Sequence, residues 1–369
     1  MRLDRWRQLD ATDVLRRRCR GRPAGHAPLV ATVVALAVAL AVVPAAAHGG
    51  PRATAPGGPG VRAARAGAAT THGVSDPGTV PDGRIVFSAT WDGDSEIYAI
   101  DADGTRLRQI TRNRVHDWSP TWHPSSHKVA FVRRHGPTND EIFTKSLRTG
   151  TVRRVTFSRW EYDGSPDYGP DGSWIVFDSE ADEDGSRIRA VRPRDGATRL
   201  VAEWWDEGEA FMSAPTWSPD GTRIAYVVHE YAPPYIAFSD FDPAVRRRAA
   251  RPDPADATAG NQTCVATNEG PRIDSLAWSP DGATLAFYGP ASATHGGLCL
   301  LDVATDERRV LLYEPPVPMP GAWAPQGGYM AASLEAGDYY DVVVVDAQSG
   351  EIVPLVADAA APDWVLRPE

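Results

Sequence analysis

Between residues 120 and 332 one twelve-residue pattern recurs five times: an aromatic residue held two places after Pro or its small or apolar equivalent, a turn, and an apolar triplet. The copies are PTWHPSSHKVAF (120 to 131), PDYGPDGSWIVF (166 to 177), PTWSPDGTRIAY (215 to 226), LAWSPDGATLAF (276 to 287) and GAWAPQGGYMAA (321 to 332). In each, the aromatic residue and the end of the triplet are nine residues apart. The aromatics Trp122, Tyr168, Trp217, Trp278 and Trp323 are spaced by 46, 49, 61 and 45 residues, the interval expected of a four-stranded repeat unit. Two copies read Trp-Ser-Pro-Asp-Gly, at 217 and 278. Pro presets φ and Gly accepts φ above zero, so each predicts a tight turn between the first two strands of a unit.

After each triplet comes a polar loop and a third strand, such as EIYAID (96 to 101), EIFTKSL (141 to 147), LCLLDV (298 to 303) or DVVVVD (341 to 346). A short turn and a last strand follow, as in RLRQIT (106 to 111) or TVRRVTF (151 to 157). The ends complement each other: residues 84 to 111 hold a triplet and two strands without a preceding Pro-x-Trp, whereas Pro362-Asp363-Trp364 has no strands after it. The reading is an all-β fold, a six-bladed β-propeller of four-stranded antiparallel blades whose C-terminal strand joins the N-terminal blade and removes free sheet edges. The pattern resembles the TolB-type propeller repeat, also called the Pro-Asp repeat, over residues 83 to 366. His123, Ser125, Ser126 and Gln326 depart from Trp-Ser-Pro-Asp-Gly, which touches the turns and not the identity of the blades.

Ahead of the repeats, residues 2 to 22 are Arg-rich and residues 28 to 43 form an uncharged apolar run ending in Pro44 and three alanines. This is the order of a signal peptide, with cleavage expected after Ala47, or of an uncleaved signal anchor. Residues 48 to 82 read as a flexible Gly/Ala/Pro-rich linker and 83 to 369 as the propeller. The first 47 residues carry eight Lys/Arg and three Asp/Glu, so the chain's net −10 leaves about −15 on the rest, which disfavours DNA, RNA and anionic lipid. The expected setting is secreted or extracytoplasmic, with membrane attachment only through an uncleaved N-terminal segment. There Cys264 and Cys299 are a candidate disulfide.

The chain contains no Gly-x-Ser-x-Gly, so the serine nucleophile of the prolyl oligopeptidase family, whose propellers look similar, is missing. DSEADEDG (178 to 185) fails the calcium-loop spacing, because Glu183 stands where Gly is required, and reads as a hairpin tip. Apart from His123 and His127, which flank the Pro-Ser-Ser turn of one repeat, the histidines show no His-x-x-x-His spacing, and no set matches that of the oligogalacturonate lyase propellers, so no cofactor or metal is expected. The Val245 to Arg251 run, VRRRAAR, reads as an insertion between outer strands.

The Pro-x-aromatic rings are assigned to packing between blades. Binding is assigned to the end carrying the loops between second and third strands and the connections between blades. The candidate face comprises Trp91, Asp92, Asp94, Asp117, Trp118, Trp160, Glu161, Tyr162, Trp204, Trp205, Asp206, Glu207, Glu209 and Tyr231, with Asp163, Phe211, Glu230 and Tyr339 beside them. Aromatic rings flanked by carboxylates suit basic peptides through cation–π contact and sugars through stacking. The expected function is a non-catalytic module binding a protein or peptide at the cell envelope. The alternative is a carbohydrate-binding or metal-assisted carbohydrate-active propeller using the channel mouth.

Overall fold

The computed structural model describes residues 82–91, 93–124, 127–136, 139–158, 161–181, 185–204, 211–229, 234–244, 265–266, 273–292 and 295–366. The segments read as signal and linker lie outside these residues, apart from Asp82. Among the described residues no helix is long and apolar enough to cross a membrane.

The described chain is all-β. Its strands are β1 (Arg84–Ala89), β2 (Glu96–Asp101), β3 (Arg108–Gln109), β4 (Asp117–Trp122), β5 (Lys128–Arg134), β6 (Asp140–Ser146), β7 (Val152–Arg154), β8 (Glu161–Tyr168), β9 (Ile175–Ala181), β10 (Gly185–Arg192), β11 (Ala197–Trp204) and β12 (Phe211–Trp217). The second half continues with β13 (Arg223–His229), β14 (Tyr235–Asp240), β15 (Val265–Ala266), β16 (Asp274–Trp278), β17 (Thr284–Pro290), β18 (Gly296–Asp302), β19 (Arg308–Leu312), β20 (Met319–Trp323), β21 (Tyr329–Ala336), β22 (Tyr339–Asp346), β23 (Ile352–Val356) and β24 (Ala359–Val365). Four sheets have four strands each, in the orders β24-β1-β2-β3, β12 to β15, β16 to β19 and β20 to β23. A fifth has eight strands, β4 to β11, in which two antiparallel units meet through a single parallel pairing of β6 and β8 at Asp140 and Tyr162. The arrangement is propeller-like. The C-terminal strand does pair with the N-terminal one, Ile85 opposite Trp364.

The triplets form the second strand of each unit and are its most buried part: Ile85-Val86-Phe87, Val129-Ala130-Phe131 and Ile224-Ala225-Tyr226 are all fully buried. Strands covered on both faces read as continuous apolar runs rather than alternating ones. Their side chains pack between neighbouring units. Trp122 joins Val86, Ile97, Val129 and Phe131, while Trp364 joins Phe87, Tyr98, Ala331 and Val344, which brings the first and last sheets into one core. Of the Pro-x-aromatic rings with the nine-residue coupling, Trp122, Tyr168, Trp217 and Trp278 are buried and Trp323 is half-buried, while Trp364 of the C-terminal segment is buried as well.

The Trp-Ser-Pro-Asp-Gly turns close as the sequence predicts. Gly221 has φ +70° and donates to Ser218 O at 2.9 Å, Ser218 Oγ donates to Asp220 Oδ1 at 2.6 Å, and Thr222 N donates to that same oxygen at 3.0 Å. The copy at 278 repeats the first two contacts, with Gly282 donating to Ser279 O at 2.9 Å and Ser279 Oγ to Asp281 Oδ1 at 2.6 Å.

Each first strand carries an irregularity that no sequence pattern announced. The register shifts between Trp118 and Thr121, Gly164 and Asp167, Ser213 and Thr216, Asp274 and Leu276, and Pro320 and Ala322. Ser119, Ser165, Ala214 and Ser275 hold positive φ at the first four of these, and Ala361 does so at the shift of β24 between Ala360 and Asp363, a costly conformation for residues with a Cβ. The bulge frees backbone N–H groups on a strand whose inner edge has no partner strand, and side chains of the preceding unit take them up. Asp363 Oδ2 accepts from Trp122 N at 2.6 Å, Thr121 Oγ1 from Tyr168 N at 3.3 Å, and Asp167 Oδ2 from Trp217 N at 2.8 Å. Asp178 Oδ2 and Ser333 Oγ accept from the bulge residues Ala214 and Ala361.

Two last strands are shorter than the sequence suggests. The stretches expected at 106 to 111 and 151 to 157 shrink to β3 and β7, because the threonine at the end of each leaves the ladder. Thr111 Oγ1 accepts from Ile97 N at 2.8 Å and Thr156 Oγ1 from Ile142 N at 3.0 Å, so a hydroxyl replaces the missing strand partner.

Candidate functional site

Strand direction sorts the loops into two ends. The β1–β2, β5–β6, β9–β10, β13–β14, β17–β18 and β21–β22 loops share one end, here the upper, with the connections between units. The Pro-Asp-Gly turns and the outer hairpins share the lower end.

At the upper end Trp91 is 36% exposed; it packs on Tyr98 with ring centroids 4.5 Å apart, and its Nε1 donates to Ala357 O at 3.3 Å. Tyr162 and Tyr339 are exposed. Trp118 is half-buried beneath the Arg134 guanidinium, which lies 5.5 Å from its ring. Asp94 is partly exposed, and its Oδ2 has no hydrogen-bond partner among the described residues. Phe211 stacks on His229 at 4.1 Å, and His229 Nε2 lies 3.0 Å from Ser213 Oγ.

Three residues assigned to the face are internal. Asp117 is fully buried and grips Arg133, with Oδ1 to Nε 2.6 Å and Oδ2 to Nη2 2.7 Å, while Asn113 donates to it at 2.8 Å. Asp163 accepts from Ser179 Oγ at 2.8 Å and Ser158 Oγ at 3.1 Å. Burial pushes Asp163 up to about 7 against the hydrogen bonds from Thr156 and Ser179, and the neighbouring Glu141 adds to the rise. Trp204 is 5% exposed and packs in the core with Met212, Trp217 and Tyr235, because it ends β11 opposite Ser186 and not in the loop beyond. Asp92, Trp160, Trp205, Asp206, Glu207, Glu209, Glu230 and Tyr231 lie outside the described residues, as does the side chain of Glu161. So do Cys264 and the whole of the 245–251 run; Cys299 is a buried free thiol that burial pushes up to about 11.

Phe157, Tyr313 and Val115 add exposed apolar surface that the sequence reading passed over. Phe157 had looked like the end of a last strand; it and Tyr313 fall in the connections that follow β7 and β19. The strand before Tyr313 stops at Leu312, and the one before Phe157 stops at Arg154. Buried Glu96 and Glu141, each near the start of a third strand, hold these connections. Glu96 accepts from the backbone and side chain of Asn113, and Glu141 from Thr156 Oγ1 at 2.6 Å, Asn139 Nδ2 at 3.1 Å and the Arg154 guanidinium.

Three further carboxylates are buried between units, Asp167 near the end of β8, Asp178 in β9 and Asp363 near the end of β24. Asp167 is pushed up to about 7 by burial and then by the field of Asp363. Asp178 and Asp363 are pushed up to about 6, again chiefly by burial. Each spends oxygens on backbone N–H groups of the next unit. Among the described residues no group of three or more His, Cys, Asp or Glu is arranged to hold a metal ion.

Comparison with known proteins places this architecture. The TolB homolog of Chlorobium luteolum is 38% identical over 91 residues, which cover 24% of this chain and 20% of that relative. The crystal structure of TolB from Acinetobacter baumannii superposes with a TM-score of 0.61 at 18% identity, covering 77% of this chain and 67% of that one. An oligogalacturonate lyase solved in complex with manganese shares the fold at a TM-score of 0.50 and 16% identity, covering 74% and 73%. Similar strand architecture therefore occurs in an enzyme, and the fold alone does not decide on catalysis. The family profile described as PD40, TolB beta propeller domain, matches residues 62–206. Over residues 62–206 the chain therefore matches a TolB-type β-propeller domain of the Pro-Asp repeat kind, and its fold is similar to that of TolB.

Proposed function

We propose that six four-stranded units close a ring, the eight-stranded sheet counting as two and β24 supplying the innermost strand of the first. In this reading residues 1–47 direct export or anchor the chain, 48–82 link, and 83–369 form a non-catalytic module that binds a protein or peptide at the cell envelope through the upper end. One observation carries it. Of the eight large hydrophobic residues exposed among the described residues, six fall at the upper end: Trp91, Val115, Phe157, Tyr162, Tyr313 and Tyr339. Burial cannot account for rings on a rigid scaffold's loops, whereas contact with a partner does. Around Tyr313 and Tyr339 the exposed Glu314, Glu335, Asp338 and Asp358 form an acidic rim, which favours a basic partner.

An affinity pull-down from envelope extract with the tagged chain tests this. A recovered protein partner should be lost when Trp91, Tyr313 and Tyr339 are changed to Ala, while the melting temperature stays near that of the parent. Retention of the partner by that variant would sink the assignment of the face. The carbohydrate or metal-assisted alternative draws on the buried carboxylates Asp167, Asp178 and Asp363. It requires binding on a glycan array or divalent metal in the purified protein, and metal analysis returning none, with stability unchanged by chelator, counts against its metal-assisted form.

A further inference from the structure

The lower end separates charge in a way that the chain's net −10 conceals. The β6–β7 hairpin presents exposed Arg148 and Arg153 with exposed Val152 between them, and the β10–β11 hairpin presents exposed Arg194 with half-exposed Arg192. The two hairpins touch, Arg153 Nη1 donating to Arg194 O at 3.3 Å. Lys128 is exposed on the neighbouring turn, one residue from the His127 carbonyl that accepts from Leu147 N at 2.6 Å. The acids among these cations are Asp195, which pairs with Arg192 at 2.8 Å and lies 3.9 Å from Arg194, and exposed Asp171. Of the corresponding turns of the last two sheets, one carries Asp302, Asp306 and Glu307 beside exposed Arg308 and Arg309, and the other carries Asp346 and Glu351 without a cation.

The chain enters the fold at this same end. Asp82 O accepts from Gln326 Nε2 at 2.9 Å, Gly83 O accepts from Ala102 N at 3.0 Å, and β1 begins at Arg84. Upstream in sequence lie the uncharged apolar run 28 to 43 and the Arg-rich residues 2 to 22. A basic patch with an apolar tip, on the end where the chain arrives from its most membrane-compatible segment, matches an anionic lipid surface in charge and position.

We propose that the β6–β7 and β10–β11 hairpins dock on anionic lipid headgroups, which turns the aromatic upper end away from the bilayer. Each basic side chain near such a surface strengthens binding about fivefold, and screening confines the effect to about 8 Å at physiological salt. This docking is independent of whether the upper end binds a protein.

Hydrogen exchange on the full chain tests the proposal, because it reads the hairpins whether or not the N-terminal segment inserts. On phosphatidylglycerol vesicles, amides of residues 146–154 and 192–199 should exchange several-fold more slowly than on phosphatidylcholine vesicles, and added salt should abolish the difference. The variant carrying Arg148→Glu, Arg153→Glu and Arg194→Glu should lose the slowing while exchange in β1 and β24 is unchanged. Equal exchange on both vesicles overturns the proposal. So does slowing by a DNA duplex without slowing on vesicles, which would assign the patch to a soluble polyanion instead.

Discussion

Replacing Asp363 by Asn should change how the fold responds to pH more than how it responds to denaturant. Asp363 is the C-terminal strand's contribution to the next unit: its Oδ2 accepts from Trp122 N at 2.6 Å and its Oδ1 from Trp364 N at 2.8 Å. Burial nevertheless pushes the acid from 3.8 to about 6, so its charge is less welcome in the fold than in the unfolded chain. A carboxyl raised on folding adds stability that is full below about pH 4 and is lost as pH climbs through its folded value. From 3.8 to about 6, the loss is at most about 3 kcal/mol, reduced where water reaches the group. Asp163, Asp167 and Asp178 are raised in the same sense, chiefly by burial, and the field of Asp363 adds to the rise of Asp167. His123 opposes them, since burial and then Lys128 hold it below its usual value. Asp220, Asp281 and Asp302 are lowered by their turn hydrogen bonds and act only below about pH 4. Urea unfolding should therefore show stability falling from about pH 5 to about pH 8, with a shallower fall in Asp363→Asn and shallower still with Asp167→Asn added. A wild-type curve that rises over that range, or an Asn variant with an unchanged slope, would refute the reasoning.

Changing Trp204 to Ala should cost about 3–5 kcal/mol, as large core truncations do, whereas Trp91→Ala should cost far less; urea melts of the two variants compare them. Gly321→Ala should destabilise the protein in thermal melts, because the added Cβ would stand 2.2 Å from Pro362 O where β20 and β24 pass each other. Deleting residues 361 to 369 should lower the melting temperature of the whole domain, since β1 would lose its pairing with β24; an unchanged melt would contradict ring closure.

The repeat made the second strands and the Pro-Asp-Gly turns legible, because fully buried triplets and a Pro-to-Gly turn are local signals. The acids at the head of the first strands were not legible. Strand alternation counted back from Trp122 puts Pro120 and Trp118 on its side and Asp117 on the other. The observed pairing has Trp122 opposite Val129 and Asp117 opposite Arg133, positions an even number apart, so Asp117 lies on the same side as Trp122. The bulge between Trp118 and Thr121 inserts the residue that reverses the count. Tyr168 and Asp163 repeat this, opposite Ile175 and Ser179, with the bulge after Gly164. Both aspartates are thereby carried from an apparent solvent rim into the interface between units, where Arg133 meets one and Ser179 the other. The same parity turns Trp118 toward the opposite neighbour, beside Val132. What stays exposed are residues beyond the reach of strand parity, Phe157 and Tyr313 in the connections and Trp91 in the β1–β2 loop, together with Tyr162 and Tyr339 at strand ends. Among the described residues the upper surface is therefore more aromatic than alternation implies, and Trp91 with the tyrosine and phenylalanine side chains should dominate its contacts.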